Sequence, residues 1–346
     1  MASQRYKKID PDNSSGTDFT SIASLEAENM DLVTDDVYLD AEFFCTSGTA
    51  DTSTDTAFNG WESDATRYIN LYTNSAYRHP GYWDTSKYRL TASGNYGDAI
   101  IIADIGSGDG TIYITGFQLS VTTGAGNAYC VTVNNIKVAK LRVSYCLMKS
   151  ASTGARAHGM NVSSLASGGE ACSFNNILYD FDNSNSNAIR MGDAGGHFYC
   201  ENDTILNSYT GIRRVSGDLY VKNCLVKCYG YDTDYTDLIG SFTDEDYNAV
   251  SDTTSTGAHS RDSQTFTFEN EGSDDFRLSS SDTGAKGYGT STVHCGFTDD
   301  ITGWTRGATW DIGAYQITNR SAGGGVFQNT DQAMTGGIMA MSGGMQ

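Results

Sequence analysis

Short apolar stretches separated by Gly, Asn and Ser recur along the middle of the chain, and from about residue 128 to residue 230 they fall into register. Ala128-Tyr129-Cys130-Val131, Gly159-Met160-Asn161-Val162, Ala188-Ile189-Arg190-Met191 and Gly211-Ile212-Arg213-Arg214 each open with a small residue followed by a larger one. The larger residues, Tyr129, Met160, Ile189 and Ile212, are 31, 29 and 23 positions apart. A second column advances with the first: Tyr145-Cys146-Leu147-Met148, Asn176-Ile177-Leu178-Tyr179, Asp203-Thr204-Ile205-Leu206 and Asn223-Cys224-Leu225-Val226. It places Cys146, Ile177, Thr204 and Cys224 on one ladder, with Gly116-Phe117-Gln118-Leu119 as an earlier copy.

Repeats of this length belong to solenoids, propellers or arrays. Each copy carries short strands and turn residues with no helical stripe between them. One such coil cannot bury its apolar face alone, but stacked coils share a continuous core. The pattern therefore predicts an all-β parallel β-helix, with an ordinary β-sandwich as its rival. Variable coil length suits a β-helix, because a turn can bulge outward without disturbing the stacked strands.

Outside the repeats, Gly16-Thr17-Asp18-Phe19-Thr20-Ser21-Ile22 leads into the one helix signal, with Thr20 or Ser21 as cap, Ile22 and Leu25 as apolar side, and an end near Asn29. A short helix there would cover the open end of the first coil. Val37-Tyr38-Leu39, Glu42-Phe43-Phe44 and Tyr68 to Tyr72 read as strands, and Trp61, Tyr82 and Trp83 as packing aromatics. Ala99 to Gly110 runs an apolar strand into Asp-x-Gly-x-Gly-x-Gly, which resembles the loop of nucleoside-dependent methyltransferases. That loop needs a helix behind it; here Thr111-Ile112-Tyr113-Ile114 follows, so a turn between coils is expected.

Lys and Arg total 22 against 42 Asp and Glu, a net charge of −20. A basic surface for nucleic-acid backbone is therefore not expected. The N-terminal stretch is polar, without the apolar core of a signal peptide, and no apolar run reaches membrane-spanning length. Neither nucleic acid nor membrane is expected as a partner, and synthesis in a cytoplasm is. Eight cysteines lack Cys-x-x-Cys spacing and read as buried small hydrophobes rather than zinc ligands. The acids Asp232, Asp234, Asp237, Asp244, Glu245 and Asp246 are read as a solvated loop rather than a calcium site.

Asp274-Asp275-Phe276-Arg277-Leu278 and Trp310-Asp311-Ile312-Gly313-Ala314-Tyr315-Gln316, with the opening Gly-Thr-Asp-Phe-Thr-Ser-Ile, resemble the closing coils and N-terminal cap of pectate-lyase-like right-handed β-helix proteins. The resemblance spans roughly residues 5 to 317. It implies a right-handed solenoid of three sheets, but no single function, because the fold carries lyases, hydrolases, phage tailspikes and structural virion parts. The expected division is an N-terminal segment and capping helix (1–32), a parallel β-helix (33–317) and an extended C-terminal arm (318–346).

The arm is rich in Gly and Met and has no charge after Asp331. Val326, Phe327, Met334, Ile338, Met339, Met341 and Met345 suit an assembly arm lying in a partner's groove, since Met adapts to irregular surfaces. In the search for chemistry, Arg190, Arg213 and Arg214 form the best basic cluster. Asp193, Glu201, Asp203 and Asp218 lie nearby without forming a paired column, and His158 and His197 read as turn residues. No catalytic residue, metal ligand or cofactor is assigned. The expected function is that of a structural protein of a tailed-phage virion, a capsid decoration or fibre-like subunit bound to other virion proteins through the arm. A homotrimer and a surface glycan are the further partners this reading admits. The alternatives are a polysaccharide depolymerase or lyase of tailspike type and a non-catalytic glycan-binding adhesin.

Overall fold

The computed structural model describes residues 2–134, 137–152, 155–192, 195–228 and 236–318. Three parallel sheets, one of nine strands and two of seven, form a parallel β-helix. One coil runs through Val138–Ser144 in sheet 1, the nine-stranded sheet, then Leu147–Ser150 in sheet 2 and Ala157–Ser164 in sheet 3. Successive coils pair strand on strand, so each inward position becomes a ladder of like side chains. In sheet 2 the inner ladder is Leu90, Leu119, Met148, Leu178, Ile205, Val226 and Val250. In sheet 1 it is Leu39, Ile69, Ile112, Leu141, Ala171, Phe198 and Leu219. All of these are buried in one core.

The repeat columns are corrected in two places. Met160, Ile189 and Ile212 do share a rung position, but their neighbour one coil earlier is Val131; Tyr129 sits opposite His158 and stays half-buried. The stretch 128–131 contains two small-large pairs, and Cys130-Val131 is the one that continues the ladder. In the second column Ile177 and Thr204 pair with Leu147 and Leu225, not with Cys146 and Cys224. A one-residue slip changes the face: Cys146 and Cys224 pack in the inner core, whereas Leu147, Ile177 and Leu225 pack in a second core outside sheet 2.

Between sheets 1 and 2 the chain turns through a single left-handed residue in six successive coils: Gly116, Tyr145, Asn175, Asn202, Asn223 and Tyr247, with φ from 53° to 79°. Asn tolerates this conformation better than most residues, and three of the six positions are Asn. The next residue turns inward and holds the corner together. Asn176 accepts from Cys146 N at 2.8 Å and Asn248 from Cys224 N at 2.8 Å. Asp203 accepts from Asn176 N at 2.9 Å.

Both ends of the solenoid are covered. The N-terminal helix, Ile22–Glu26, is capped by Ser21 and buries Ile22 and Leu25 in the core. Asp51, itself buried, accepts from Ile22 N at 2.7 Å and Tyr88 Oη at 3.0 Å. The segment before it is itself a rung, since Ser3–Ile9 pairs with Val37–Phe43 as the first strand of sheet 1. At the other end Glu245 continues an inward ladder below Val221. Its carboxylate accepts from Asn248 Nδ2, Thr256 N, Gly257 N and Ser260 Oγ, at 2.6 to 2.8 Å, and so folds residues 255–260 across the last coil.

The last described part of the chain does not close the solenoid as the resemblance implied. Phe268–Asn270 and Asp275–Leu278 form an antiparallel pair outside the three sheets. With Ile301, Ile312, Ala314 and Tyr315 they cover the outer face of sheet 2, burying Leu147, Ile177, Tyr179, Leu206 and Leu225. Residues 264–318 are thus a strap laid back along the body. Tyr82 and Trp83 pack beside it, with Arg277 over the Tyr82 ring and Lys149 over Trp83. Trp61 is buried in the first coils against Phe58. Asp104 ends one strand and Gly110 begins the next, so the Gly-rich loop is a turn between coils.

Candidate functional site

Three features stand out on this frame: an arginine column on sheet 3, a cleft between sheet 1 and the strap, and the buried root in which the described chain ends at Thr318.

On sheet 3, Arg190 lies directly opposite Arg213 in the next coil, and Arg214 follows on the same strand. Arg190 Nη1 donates to Asn161 Oδ1 at 2.7 Å. Among the described residues, Arg156, Arg190, Arg213 and Arg214 make no ion pair with a carboxylate. Like charges on adjacent rungs repel, so this face attracts anions. His158 is in a strand rather than a turn, buried beside them, stacked on Tyr129 at 5.0 Å and accepting from Asn187 N at 3.0 Å. Burial, with Arg190 and Arg156 adding to it, pushes its imidazole down to about 4.

The acids expected near this cluster are not aimed at it. Asp203 faces the interior and accepts from Ser173 Oγ at 2.6 Å; burial pushes its carboxyl up to about 7. Glu201 and Asp218 belong to sheet 1, as does His197, which is also a strand residue and lies 3.2 Å from Asp218. Asp193 lies outside the described residues.

The acidic stretch is not uniformly solvated either. Asp237 is buried and accepts from Cys228 N at 2.7 Å and Ser251 Oγ at 2.8 Å, while Asp232 and Asp234 lie outside the described residues. Among the described residues no group of three or more His, Cys, Asp or Glu is placed to hold a metal. All eight cysteines are buried and unbridged.

The cleft was not legible in the repeats. Its floor is an outward column of sheet 1, in which Tyr199 faces Tyr220 and Tyr220 faces Asp244 in successive coils. Its wall is the strap at residues 292–294, seated by Glu201, which accepts from His294 N at 2.7 Å and Cys295 N at 2.8 Å. Phe297 stacks on Phe174 at 4.8 Å, and Cys172, Cys295 and Trp310 complete that buried patch. His294 reaches Glu170 at 2.9 Å. Burial pushes the Glu170 carboxyl up, but His294, Lys140 and Arg142 outweigh burial and hold it below its usual range. Three rings form a stack: His294 on Tyr199 at 3.7 Å and Tyr199 on Tyr220 at 4.6 Å. The cleft encloses about 420 Å³, lined chiefly by Tyr199, Glu201, Tyr220, Lys222, Asp244 and His294.

The root is where the strap grips the corner residues. Asn175 donates to Asp299 O at 2.8 Å, and Asn202 to Gly313 O at 3.1 Å. Asn223 donates to Thr290 O at 2.7 Å. Arg306 is buried and donates to Asn175 Oδ1 and Gly313 O at 2.9 Å each, and to Asp299 O at 3.0 Å. Asp311 accepts from Ile317 N at 2.5 Å and Thr318 N at 2.8 Å, and Gln316 N donates to Asp300 at 3.0 Å. The arm residues Val326, Phe327, Met334, Ile338, Met339, Met341 and Met345 lie outside the described residues.

The fold defines the class, an all-β solenoid of the parallel β-helix type. No family model matches the chain, and no curated protein matches it.

Proposed function

We propose that this protein is a structural component of a tailed-phage virion, a capsid decoration or fibre-like subunit whose β-helix body is held on the particle by the segment beyond Thr318. The observation that carries this reading is the root. The described chain ends in a buried hydrogen-bonded network built on Asp311, Gln316 and Arg306, which in turn grips three successive coils. A tether transmits load to whatever it is joined to, and the residues that precede this segment, Gln316 to Thr318, are held by hydrogen bonds to Asp300 and Asp311. The Gly/Met-rich composition beyond it favours close approach to an irregular partner surface.

Two proteins test this against particles lacking the protein: a chain ending at Thr318, and the full chain carrying Met339→Asp and Met341→Asp. Both are expected to melt like the parent and to lose association. Undiminished association by either would sink the tether, and release of oligosaccharides from host capsular polysaccharide by the parent would replace a structural role with depolymerisation.

A further inference from the structure

The ring stack in the cleft stops one rung short of the end of sheet 1. His294 covers one face of Tyr199 and Tyr220 covers the other, so Tyr199 has no face to offer. Tyr220 has one face on Tyr199, and the residue opposite its other side, in the last coil, is Asp244, an exposed carboxylate with no ring. Rungs repeat at about 4.8 Å, close to the separation of stacked rings. The position over Asp244 is therefore a slot with an aromatic face on one side, a carboxylate at its base and, among the described residues, no further rung of sheet 1 beyond it.

The polar groups around the slot define what fits it. Asp244 accepts hydrogen bonds, and Lys222, half-buried on the same strand as Tyr220, donates them. With Glu201 and Asp244 against Lys222, the lining carries excess negative charge, which disfavours an anionic ligand. Glu201 contributes little to a ligand, because both its oxygens are occupied by the strap. A ring with an apolar face and hydroxyls on its rim matches this set: the face lies on Tyr220, and the hydroxyls bridge Asp244 and Lys222. The volume, about 420 Å³, is at the small end of ligand clefts, which run from about 300 to 1,000 Å³. That is room for about one or two sugar rings.

We infer that the cleft between sheet 1 and the strap binds a neutral pyranose, stacked on Tyr220 and held by Asp244 and Lys222. The site is independent of the tether and of the arginine column on sheet 3.

The test uses the full chain and four probes at millimolar concentration, the methyl glycosides of glucose, galactose, mannose and N-acetylglucosamine, read by saturation-transfer NMR. At least one is expected to bind, with transfer concentrated on the protons of one ring face. Tyr220→Ala is expected to weaken that binding by about 2- to 10-fold, the loss of one aromatic contact. Asp244→Asn, at an exposed position where folding is not at stake, is expected to weaken it by roughly fivefold or more. Arg213→Gln is expected to leave it unchanged. No transfer to any of the four probes, or binding that Asp244→Asn leaves intact, overturns the site.

Discussion

His79 and His158 are imidazoles kept neutral by their surroundings. Burial, with Arg78 beside it, pushes His79 down to about 3, and burial with Arg190 and Arg156 pushes His158 down to about 4. The unfolded chain takes up those protons near the ordinary value of about 6.5. Below that value the unfolded state binds more protons than the folded one, so the stability these residues supply is complete above about pH 6.5 and is lost as pH falls. For His158 the loss by pH 4 is roughly 3 kcal/mol. The His158 ring resonance should show no titration above about pH 5, and Arg190→Gln should move its midpoint upward; a midpoint at the ordinary value would contradict its burial. At this scale the sequence was a poor guide. His158 alternates with Ala157 and Gly159, which look like turn residues, yet that small-residue neighbourhood is a strand in which Gly159 leaves no room for a Cβ beneath Ala188 O. Tyr129 was misplaced for a related reason: a two-residue slip keeps the in-out alternation, so hydrophobic pattern alone could not choose between Ala128-Tyr129 and Cys130-Val131.

Among the elements, the strap depends most on a few contacts. Arg306→Ala would remove the donor to the Asn175 amide oxygen and one of the two donors to each of the carbonyls of Asp299 and Gly313. Leaving a buried neutral acceptor without its donor costs about 1–3 kcal/mol. The expected outcome is early proteolysis between residues 264 and 318 while the coils remain resistant, followed by limited digestion and mass spectrometry; simultaneous loss of strap and coils would mean they are one cooperative unit. The solenoid strands were legible because their ladders repeat. The strap was not, because Asp275-Phe276-Arg277-Leu278 alternates like any rung and carries no mark of pairing antiparallel. One signal for the strap is in the sequence: Leu147-Met148, Ile177-Leu178-Tyr179 and Leu225-Val226 are apolar on both faces of their strands, the pattern of a sheet covered on both sides. The cleft left no such trace, since its wall and floor come from segments about ninety residues apart in sequence, as in the Glu201–His294 contact.

For the whole molecule the question is what keeps stacked coils from continuing into another copy. A solenoid end presents unpaired strand edges and open core, a template for head-to-tail growth. Helix Ile22–Glu26 closes one end and the Glu245 network closes the other. Burial pushes the Glu245 carboxyl up, but the hydrogen bonds from Asn248, Thr256, Ser260 and Ser255 outweigh it and hold the group below its usual range. The closure is therefore complete above the ordinary carboxylate range and is lost as pH falls through the lowered value of Glu245. Glu245→Ala should free residues 255–260 and raise self-association in light scattering at neutral pH, as acid should for the parent; a variant that stays monodisperse would show that the end is closed by other means.

The grip of the strap on Asn175, Asn202 and Asn223 has a consequence for how this protein can vary. Repeat proteins usually lengthen or shorten by duplicating or dropping a unit. Here three notches in successive coils are gripped by one continuous segment, which meets Asn223 at Thr290, Asn175 at Asp299 and Asn202 at Gly313, so an added unit between them would pull those contacts out of step. The strap acts as a ruler: the middle of this rod has a fixed count, and change in size is confined to the outward turns that the ruler does not touch.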